Sequence, residues 1–305
     1  QIASNLQDGS AGDKDGTLNG VIKFDVAVPS AATLSPTFAR FRWSTTEGVV
    51  PVALDGEVED YLTTISNDDP PVTCDNGLYQ IADDNSQLKR MRFSDGGGIY
   101  ALTFDPLGTA PRRVEAGWGY NALDGYIYGV REGKSELWRV DGGGNFVELP
   151  NFPGSAGNGG FAGDILANGT MIYQVDNTTW QLLDLTDPIN PVDLGELTLS
   201  QQLPTEDFAA HPLDGFIYGI NPDTGRAFRV STNGGVAGPV AVIEFGDPIH
   251  LGTFAAVFFD EDGRFYAYDN DARELFLINT TTGARQLLAR AAGTEGGFND
   301  GASCR

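Results

Sequence analysis

The chain has 305 residues, a length that allows one large domain or two ordinary ones. Acidic residues outnumber basic ones 42 to 19, which gives a net charge of −23. This charge argues against nucleic acid and anionic membrane surfaces as partners, because both would repel the chain. Hydrophobic residues make up 41% of the chain, enough for a core. No apolar run approaches the roughly 20 residues of a membrane span, so we expect no membrane insertion.

Alternating apolar residues predict three strands in the first part of the chain, namely Val21–Val28, Thr37–Trp43 and Val58–Ile65. The stretch that follows, residues 67–73, reads NDDPPVT. An aspartate pair before two prolines is typical of a linker or turn. The sequence therefore predicts a first domain over residues 1–66 and a linker over residues 67–73.

Two motifs in the first domain resemble a known family. They are Phe38–Arg42 (FARFR) and Gly56–Tyr61 (GEVEDY), and they resemble the GEVED domain, a β-sandwich module of bacterial extracellular proteins. The resemblance covers roughly residues 15–66 and implies a sandwich that lacks the family's earlier half. Half a sandwich exposes an unpaired strand edge. We therefore expect the missing half, or another surface-protein chain, to complete it.

A short pattern of glycine followed by tyrosine recurs after the linker. The tyrosines lie 49, 45, 45 and 48 residues apart. The five copies are Gly77–Tyr79, Gly125–Tyr128, Gly169–Tyr173, Gly215–Tyr218 and Gly263–Tyr266. Each copy is preceded by one short apolar segment and followed by two more. Four short strands in about 45 residues are typical of a β-propeller blade, whose faces are buried when blades stack around an axis.

The first copy departs from this pattern. We predict its later strands at Leu102–Asp105 and Arg113–Val114, with the charged, glycine-rich stretch Gln87–Gly98 inserted between strands. The fold class expected is therefore all-β, with a partial β-sandwich followed by a five-bladed β-propeller over residues 74–305. Six blades are the alternative.

The two cysteines, Cys74 and Cys304, are either unrelated buried thiols or one disulfide. The segment Phe298–Gly301 resembles the short strand that precedes each tyrosine strand, so we predict that it completes the blade beginning at Gly77. This closure would place Cys304 beside Cys74 and favours a disulfide that locks the ring. It also removes free sheet edges.

The second domain also resembles a family, an uncharacterised propeller-like domain of bacterial surface proteins. The matching segments are Cys74–Tyr79 at the start and Asn299–Cys304 (NDGASC) at the end. The resemblance covers residues 74–305 and implies no activity, because none is established for that family.

Candidate metal ligands fall into two groups. Counting back from the tyrosines places Asp164, Asp207 and Asn299 or Asp300 on strands that line the propeller channel. Converging acids would bind Ca²⁺ or Na⁺, or they would cap backbone N–H groups instead. Asp13 and Asp15 resemble part of a calcium loop, although a solvated acidic turn is the alternative.

The composition is typical of an extracellular protein, with four lysines in the whole chain. Three Asn-x-Thr sequons, at Asn168, Asn177 and Asn279, are glycosylation candidates on a secreted surface. The disulfide expected above fits the same compartment.

No GxSxG, HExxH or Walker motif occurs, and neither histidine, His211 nor His250, lies in a metal or triad pattern. The main hypothesis is a non-enzymatic adhesion, binding or structural module at a bacterial cell surface, with glycans or other surface chains as partners. One alternative is a carbohydrate-active hydrolase that uses Asp164, Asp207 and Glu206. The other is a subunit of an extracellular filament, completed by a strand or half-domain from a neighbour.

Overall fold

The protein is described from a computed structural model, in which two compact units span residues 1–68 and 69–305. The structure describes the backbone of residues 35–43, 57–65 and 116 and, with side chains, residues 70–72, 74, 77–82, 86–94, 97–114, 117–131, 133–134, 136–150, 152–154, 162–232, 239–249, 252–291 and 299–304. These residues contain strands and turns but no helix, so the described fold is all-β. No helix among them is long and apolar enough to cross a membrane.

The first unit contains an antiparallel strand pair. Strand β1 (Ser35–Trp43) pairs along its whole length with β2 (Glu57–Ile65). Both strands confirm the sequence prediction within two residues at each end. The predicted strand Val21–Val28 lies outside the described residues, and the β-sandwich stays a prediction.

The second unit is built from groups of four antiparallel strands. The first group begins, in sheet order, with the chain's last strand, β22 (Asn299–Ser303), which is followed by β3 (Leu78–Ala82), β4 (Gln87–Ser94) and β5 (Tyr100–Thr109). The second consists of β6 (Ala116–Asn121), β7 (Tyr126–Arg131), β8 (Leu137–Val140) and β9 (Phe146–Leu149). The third consists of β10 (Gly163–Ile165), β11 (Thr170–Gln174), β12 (Thr179–Asp184) and β13 (Val192–Thr198).

Two more groups complete the described strands of this unit. The fourth consists of β14 (Phe208–Ala210), β15 (Phe216–Asn221), β16 (Arg226–Ser231) and β17 (Val242–Phe245). The fifth consists of β18 (Ala256–Phe259), β19 (Phe265–Asp269), β20 (Glu274–Ile278) and β21 (Arg285–Ala291). Each repeat tyrosine lies in the second strand of its group, as the spacing of the repeats predicts.

The first strands of the groups, here called the inner strands, contact one another in a closed order. This order runs from β6 through β10, β14, β18 and β22 and returns to β6. Five hydrophobic clusters fill the spaces between neighbouring groups; one of them packs Trp180 of β12 against Phe208 of β14. Each sheet is therefore buried on both faces by its neighbours, which no four-stranded sheet achieves alone.

The first group corrects the sequence prediction. The charged stretch Gln87–Ser94, predicted to be part of an insertion, is strand β4 itself, and Leu102–Asp105 lies in the fourth strand rather than the third. Arg113 and Val114 are not in a strand. A register shift between Leu88 and Lys89 interrupts the alternation of apolar and polar residues, which hides β4 from a period-two pattern.

The fourth strand of this group also makes a contact that the sequence did not suggest. Strand β5 pairs in parallel with β21, the outer strand of the fifth group, with Tyr100 opposite Ala289. The two groups consequently form one eight-stranded sheet. This pairing covers the outer strand edges of both groups.

Part of the predicted linker packs on the second unit. The backbone N–H of Val72 donates to the Gly125 carbonyl at 2.7 Å, and the Pro70 carbonyl accepts from Gly142 at 2.8 Å. Val72 is buried in the cluster between the first and second groups. The stretch from Pro70 to Val72 is therefore an integral part of the second unit.

A disulfide joins Cys74 to Cys304, with their Cα atoms 5.2 Å apart and 230 positions between them in sequence. It lies beside the pairing of β22 with β3, where Ser303 is opposite Leu78. The Cys304 N–H also donates to the Gly77 carbonyl at 3.2 Å. The predicted bridge is present, and it covalently joins the two ends of the second unit.

Replacing either cysteine with serine is expected to lower the free energy of unfolding by about 5 kcal/mol, because the bridge restricts a very long loop in the unfolded chain. The measurement is urea unfolding of the purified chain. The matched control is the double variant Cys74→Ser/Cys304→Ser, which should lose no more than either single variant. An unchanged midpoint in all three proteins would contradict this account.

Candidate functional site

The acids predicted to line the centre of the second unit lie on its inner strands or next to them. Asp164 is in β10, Asp300 is in β22, and Asp207 directly precedes β14. Their exposed fractions are 3%, 4% and 0%. Buried carboxyl groups require hydrogen-bond partners, and the partners of these three follow one rule.

Each of the three carboxyl groups holds two backbone segments together. One oxygen, Oδ1, accepts the N–H of the residue that follows the aspartate, at 2.7 Å for Asp164, 2.6 Å for Asp207 and 2.9 Å for Asp300. The other oxygen, Oδ2, accepts an N–H from a neighbouring inner strand. Its donors are Ala210 at 2.7 Å for Asp164, Val257 at 2.7 Å for Asp207 and Trp118 at 2.5 Å for Asp300. The acids therefore connect β10 to β14, β14 to β18 and β22 to β6.

The other two contacts between inner strands use glycine. A Cβ atom added to Gly117 of β6 would lie 2.5 Å from backbone atoms of Ala162 and Gly163, which lead into β10. A Cβ atom on Gly301 of β22 would lie 2.7 Å from the Val257 carbonyl of β18. Where no acid connects two strands, the backbones approach too closely for a side chain.

Asp207 and Asp300 form a coupled pair, because their side chains are hydrogen-bonded to each other. Asp207 Oδ2 also accepts the Gly301 N–H at 3.1 Å, so Asp207 receives three backbone donors. Burial is the main cause that raises the pKa of both carboxyl groups well above the ordinary value of aspartate. The hydrogen bond between the two side chains lowers the pKa of Asp207 and raises that of Asp300, and backbone donors favour the charged form of Asp207, so we expect the shared proton on Asp300.

Asp164 lies at a different level from this pair. Asp300 is two residues before Ala302, the partner of Tyr79, and Asp207 is two residues before Ala209, the partner of Tyr218. Asp164 instead comes one residue after Gly163, the partner of Tyr173. Asp164 still raises the pKa of Asp207 through its charge. The sequence therefore placed the acids on or next to the inner strands, but it did not show that Asp207 and Asp300 are hydrogen-bonded to each other.

No group of three or more His, Cys, Asp or Glu side chains is arranged to hold a metal ion in the part of the chain that the structure describes. The three inner acids direct their oxygens to backbone N–H groups, as the capping alternative predicts. Asp13 and Asp15 lie outside the described residues. Calcium binding stays a prediction.

The three sequon asparagines are exposed and lie in turns or directly after strands. Asn168 Oδ1 accepts the Thr170 N–H at 3.1 Å, and Asn279 Oδ1 accepts the Thr282 N–H at 2.8 Å. Asn177 Oδ1 accepts from the Gln174 side chain at 3.2 Å. Their exposure fits the glycosylation prediction, which no observation on this chain tests.

Glu206, the remaining acid of the hydrolase hypothesis, precedes Asp207 and is only partly buried. Burial raises the pKa of its carboxyl group. Trp118, on the inner strand β6, is buried with 1% exposure and packs edge-on against Phe146 at 5.8 Å. It therefore presents no open aromatic face for a sugar.

The repeated tyrosines have a structural role that the sequence alone did not reveal. In three groups the tyrosine hydroxyl donates to an aspartate in the turn that precedes its strand. The pairs are Tyr128 with Asp124 at 2.6 Å, Tyr218 with Asp214 at 2.7 Å and Tyr266 with Asp260 at 2.8 Å. Burial raises the pKa of Tyr218 to about 12, so the hydroxyl stays protonated and donates. The spacing Asp-Gly-x-x-Tyr, present in three copies, was the available signal, although Tyr266 donates to Asp260 and not to the Asp262 of its own match.

The coupled pair predicts a pH dependence of stability. The pKa of the pair in the folded state is raised above the unfolded value of about 3.9. The pair's contribution to the free energy of unfolding is therefore complete below that value and is lost as pH rises through the folded pKa. Asp300→Asn keeps a donor for Asp207 without titrating. We expect this variant to show a flatter stability profile above pH 4 than the natural chain.

Urea unfolding at a series of pH values measures this profile. The matched control is Asp223→Asn at an exposed turn, which should keep the natural pH dependence. Asp300→Asn keeps only one of the two acceptor oxygens that Trp118 and Gly301 use, so at pH 4 it should be less stable by about 1–3 kcal/mol. Parallel pH profiles for the natural chain and Asp300→Asn would refute the shared proton.

The bridging role of Asp164 predicts that substitutions at this position lower stability by an amount that depends on how many acceptor oxygens they remove. Asp164→Ala leaves the N–H groups of Ile165 and Ala210 without their acceptor, which should cost about 1–3 kcal/mol. Asp164→Asn retains one acceptor oxygen and should cost less. Thermal or urea unfolding measures both, and equal losses in the two variants would contradict the bridging role.

Comparison with known proteins places the second unit in a family. Residues 78–305 match the model of a repeat of unknown function (DUF6923). No match was found among curated proteins. No GEVED domain was identified, so the resemblance of the first unit stays a prediction.

Solved structures resemble the chain at low sequence identity. A protein of unknown function from Bacteroides thetaiotaomicron is 14% identical, with a TM-score of 0.48 over 73% of this chain and 60% of that one. A virginiamycin B lyase from Staphylococcus aureus is 15% identical, with a TM-score of 0.40 over 72% and 74% of the two chains. A chain of a nidogen–laminin complex is 10% identical, with a TM-score of 0.46 over 75% and 99%.

The match over residues 78–305 covers most of the chain and all the described strand groups of the second unit. On this match, the chain belongs to the family of the repeat of unknown function (DUF6923).

Proposed function

We propose that the second unit is a five-bladed β-propeller with each four-stranded group as one blade. Three observations support this architecture: the closed order of contacts among the inner strands, the hydrophobic clusters between neighbouring groups, and the pairing of β22 with β3. In this arrangement the chain's last strand is the inner strand of the first blade, and the disulfide locks the closure.

We further propose that the protein is a non-enzymatic extracellular module of a bacterial surface protein, with a binding or structural role. The observation that carries this proposal is that the inner acids accept hydrogen bonds from backbone N–H groups. Asp164, Asp207 and Asp300 each use both carboxyl oxygens for N–H groups of the strands they join. Acids bound in this way stabilise a rigid ring, and a rigid ring suits recognition through its outer surfaces.

The disulfide supports the extracellular location, because such bonds persist in oxidising compartments. The net charge of −23 disfavours nucleic acid and anionic lipid as partners. Glycans and other surface-protein chains remain the proposed partners. For the first unit, the resemblance to part of a GEVED domain supports completion by a second chain, as in a filament subunit.

The hydrolase alternative requires an acid that a substrate can reach. A glycosidase places its acid and its second carboxylate on either side of the scissile bond. Here Asp164 and Asp207 are almost wholly buried, and their oxygens already accept backbone hydrogen bonds. Glu206 is the one acid of that hypothesis with partial exposure, and a single carboxyl group does not supply both roles.

A glycan array combined with a hydrolysis screen separates these functions. We expect binding to a surface glycan or protein without turnover, and we expect Asp223→Asn, an exposed control, to leave binding unchanged. Asp164→Asn and Asp207→Asn should lower stability and should alter no reaction. Turnover of any glycan that is abolished by Asp164→Asn or Asp207→Asn would overturn the binding-module proposal.

A further inference from the structure

One of the two histidines in the chain occupies a contact between two strand groups. His211 lies in the turn between β14 and β15, and its side chain is 11% exposed. Its ring lies 4.7 Å from the ring of Phe259 in the fifth group, in an edge-on arrangement. On the other side it lies 5.7 Å from Tyr218 of its own group.

The hydrogen bonds of His211 fix its protonation state. Its Nδ1 accepts the backbone N–H of Leu213 at 3.1 Å and that of Asp214 at 3.2 Å. A ring nitrogen accepts hydrogen bonds only when it carries no proton. The turn therefore requires the neutral ring, with Nδ1 unprotonated.

A competing partner for Nδ1 is already in place. The Oδ1 atom of Asp214 lies 3.4 Å from His211 Nδ1, a distance suited to an ion pair once the ring is charged. That oxygen now accepts the Phe216 N–H at 2.9 Å, and Oδ2 accepts the Tyr218 hydroxyl at 2.7 Å. A proton on Nδ1 would expel two backbone donors and attract a carboxylate that is holding the next strand.

The neighbouring group packs directly on this ring. A Cβ atom added to Gly263, in the turn between β18 and β19, would lie 2.8 Å from His211 Nε2. Arg264 pairs with Asp260 and with Asp262, each at 2.7 Å, so much of that turn's charge is compensated. The titratable and charged groups on the elements around His211 are Asp214, Tyr218, Asp260, Glu261, Asp262 and Arg264.

We propose that His211 is an acid-sensitive contact between the fourth and fifth strand groups. Protonation of the ring exchanges its two backbone donors for the Asp214 carboxylate and rearranges the turn that meets Gly263. The test therefore lowers the pH from neutral through the region near 6.5 in which free histidine gains its proton. The proposal concerns the contact between the fourth and fifth strand groups and does not depend on the role of the inner acids.

The test follows backbone and histidine NMR signals of the full chain between pH 7.5 and 5. In His250→Asn, His211 is the sole histidine, and we expect the amide signals of Leu213, Asp214 and Gly263 to shift with the same midpoint as the His211 ring. Amide signals that stay constant through the His211 titration would overturn the proposal.

A second variant separates the ring's charge from other titrations. His211→Asn offers a side-chain oxygen that accepts backbone donors but does not titrate, so the step in the amide signals should disappear. A step that persists in this variant would overturn the proposal. If His211→Asn fails to fold, the His250→Asn titration alone decides the outcome.

Discussion

The pairing of the last strand with the first strand of the second unit is the interaction on which the rest of that unit depends. Strand β22 supplies the inner strand that β3 lacks, and its residues pair with β3 from Ser303 to Asn299. Without it, the contacts from β22 to β6 and to β18 would not exist, and the hydrophobic cluster between the first and second groups would lose Ala302 and Cys304. The ring is therefore closed by residues more than 200 positions apart.

Several bonds of different kinds secure this one closure. The disulfide adds a covalent connection, Asp300 connects β22 to β6, and Asp207 connects β14 to β22 through the Gly301 N–H. The parallel pairing of β21 with β5 joins the fifth group to the first at their outer edges. The buried acids Asp207 and Asp300 take part in this closure by accepting backbone N–H groups, so their oxygens are used within the fold.

The sequence predicted most of the second unit because its strongest signal has a local cause. In four of the five copies, the repeated glycine adopts a positive φ in the turn before the tyrosine strand, a conformation that other residues rarely take. The tyrosine that follows is buried in three of these copies and partly buried in the fourth, and in three copies it donates a hydrogen bond to a turn aspartate. A turn and a buried side chain at fixed spacing leave a pattern that can be read without knowing the fold.

Two features escaped prediction because they depend on contacts between distant residues. Strand β4 carries Lys89, Arg90 and Arg92, and a register shift beside Lys89 breaks its alternation, so its charge obscured its place in the sheet. The levels of the inner acids depend on strand register, which counting back from a tyrosine does not resolve. For this reason Asp207 and Asp300 are hydrogen-bonded to each other, while Asp164 connects β10 to β14. The role proposed for the first unit rests on sequence resemblance, since only its strand pair is described.

The most direct test of the closure is deletion of residues 299–305, with hydrogen exchange followed along β3 and β6. The account predicts that amides of β3 and β6 lose protection and that the whole second unit unfolds at lower urea concentration, by more than the cysteine variants show. A truncated chain that retains the protection of β3 and β6 and the natural unfolding midpoint would contradict it.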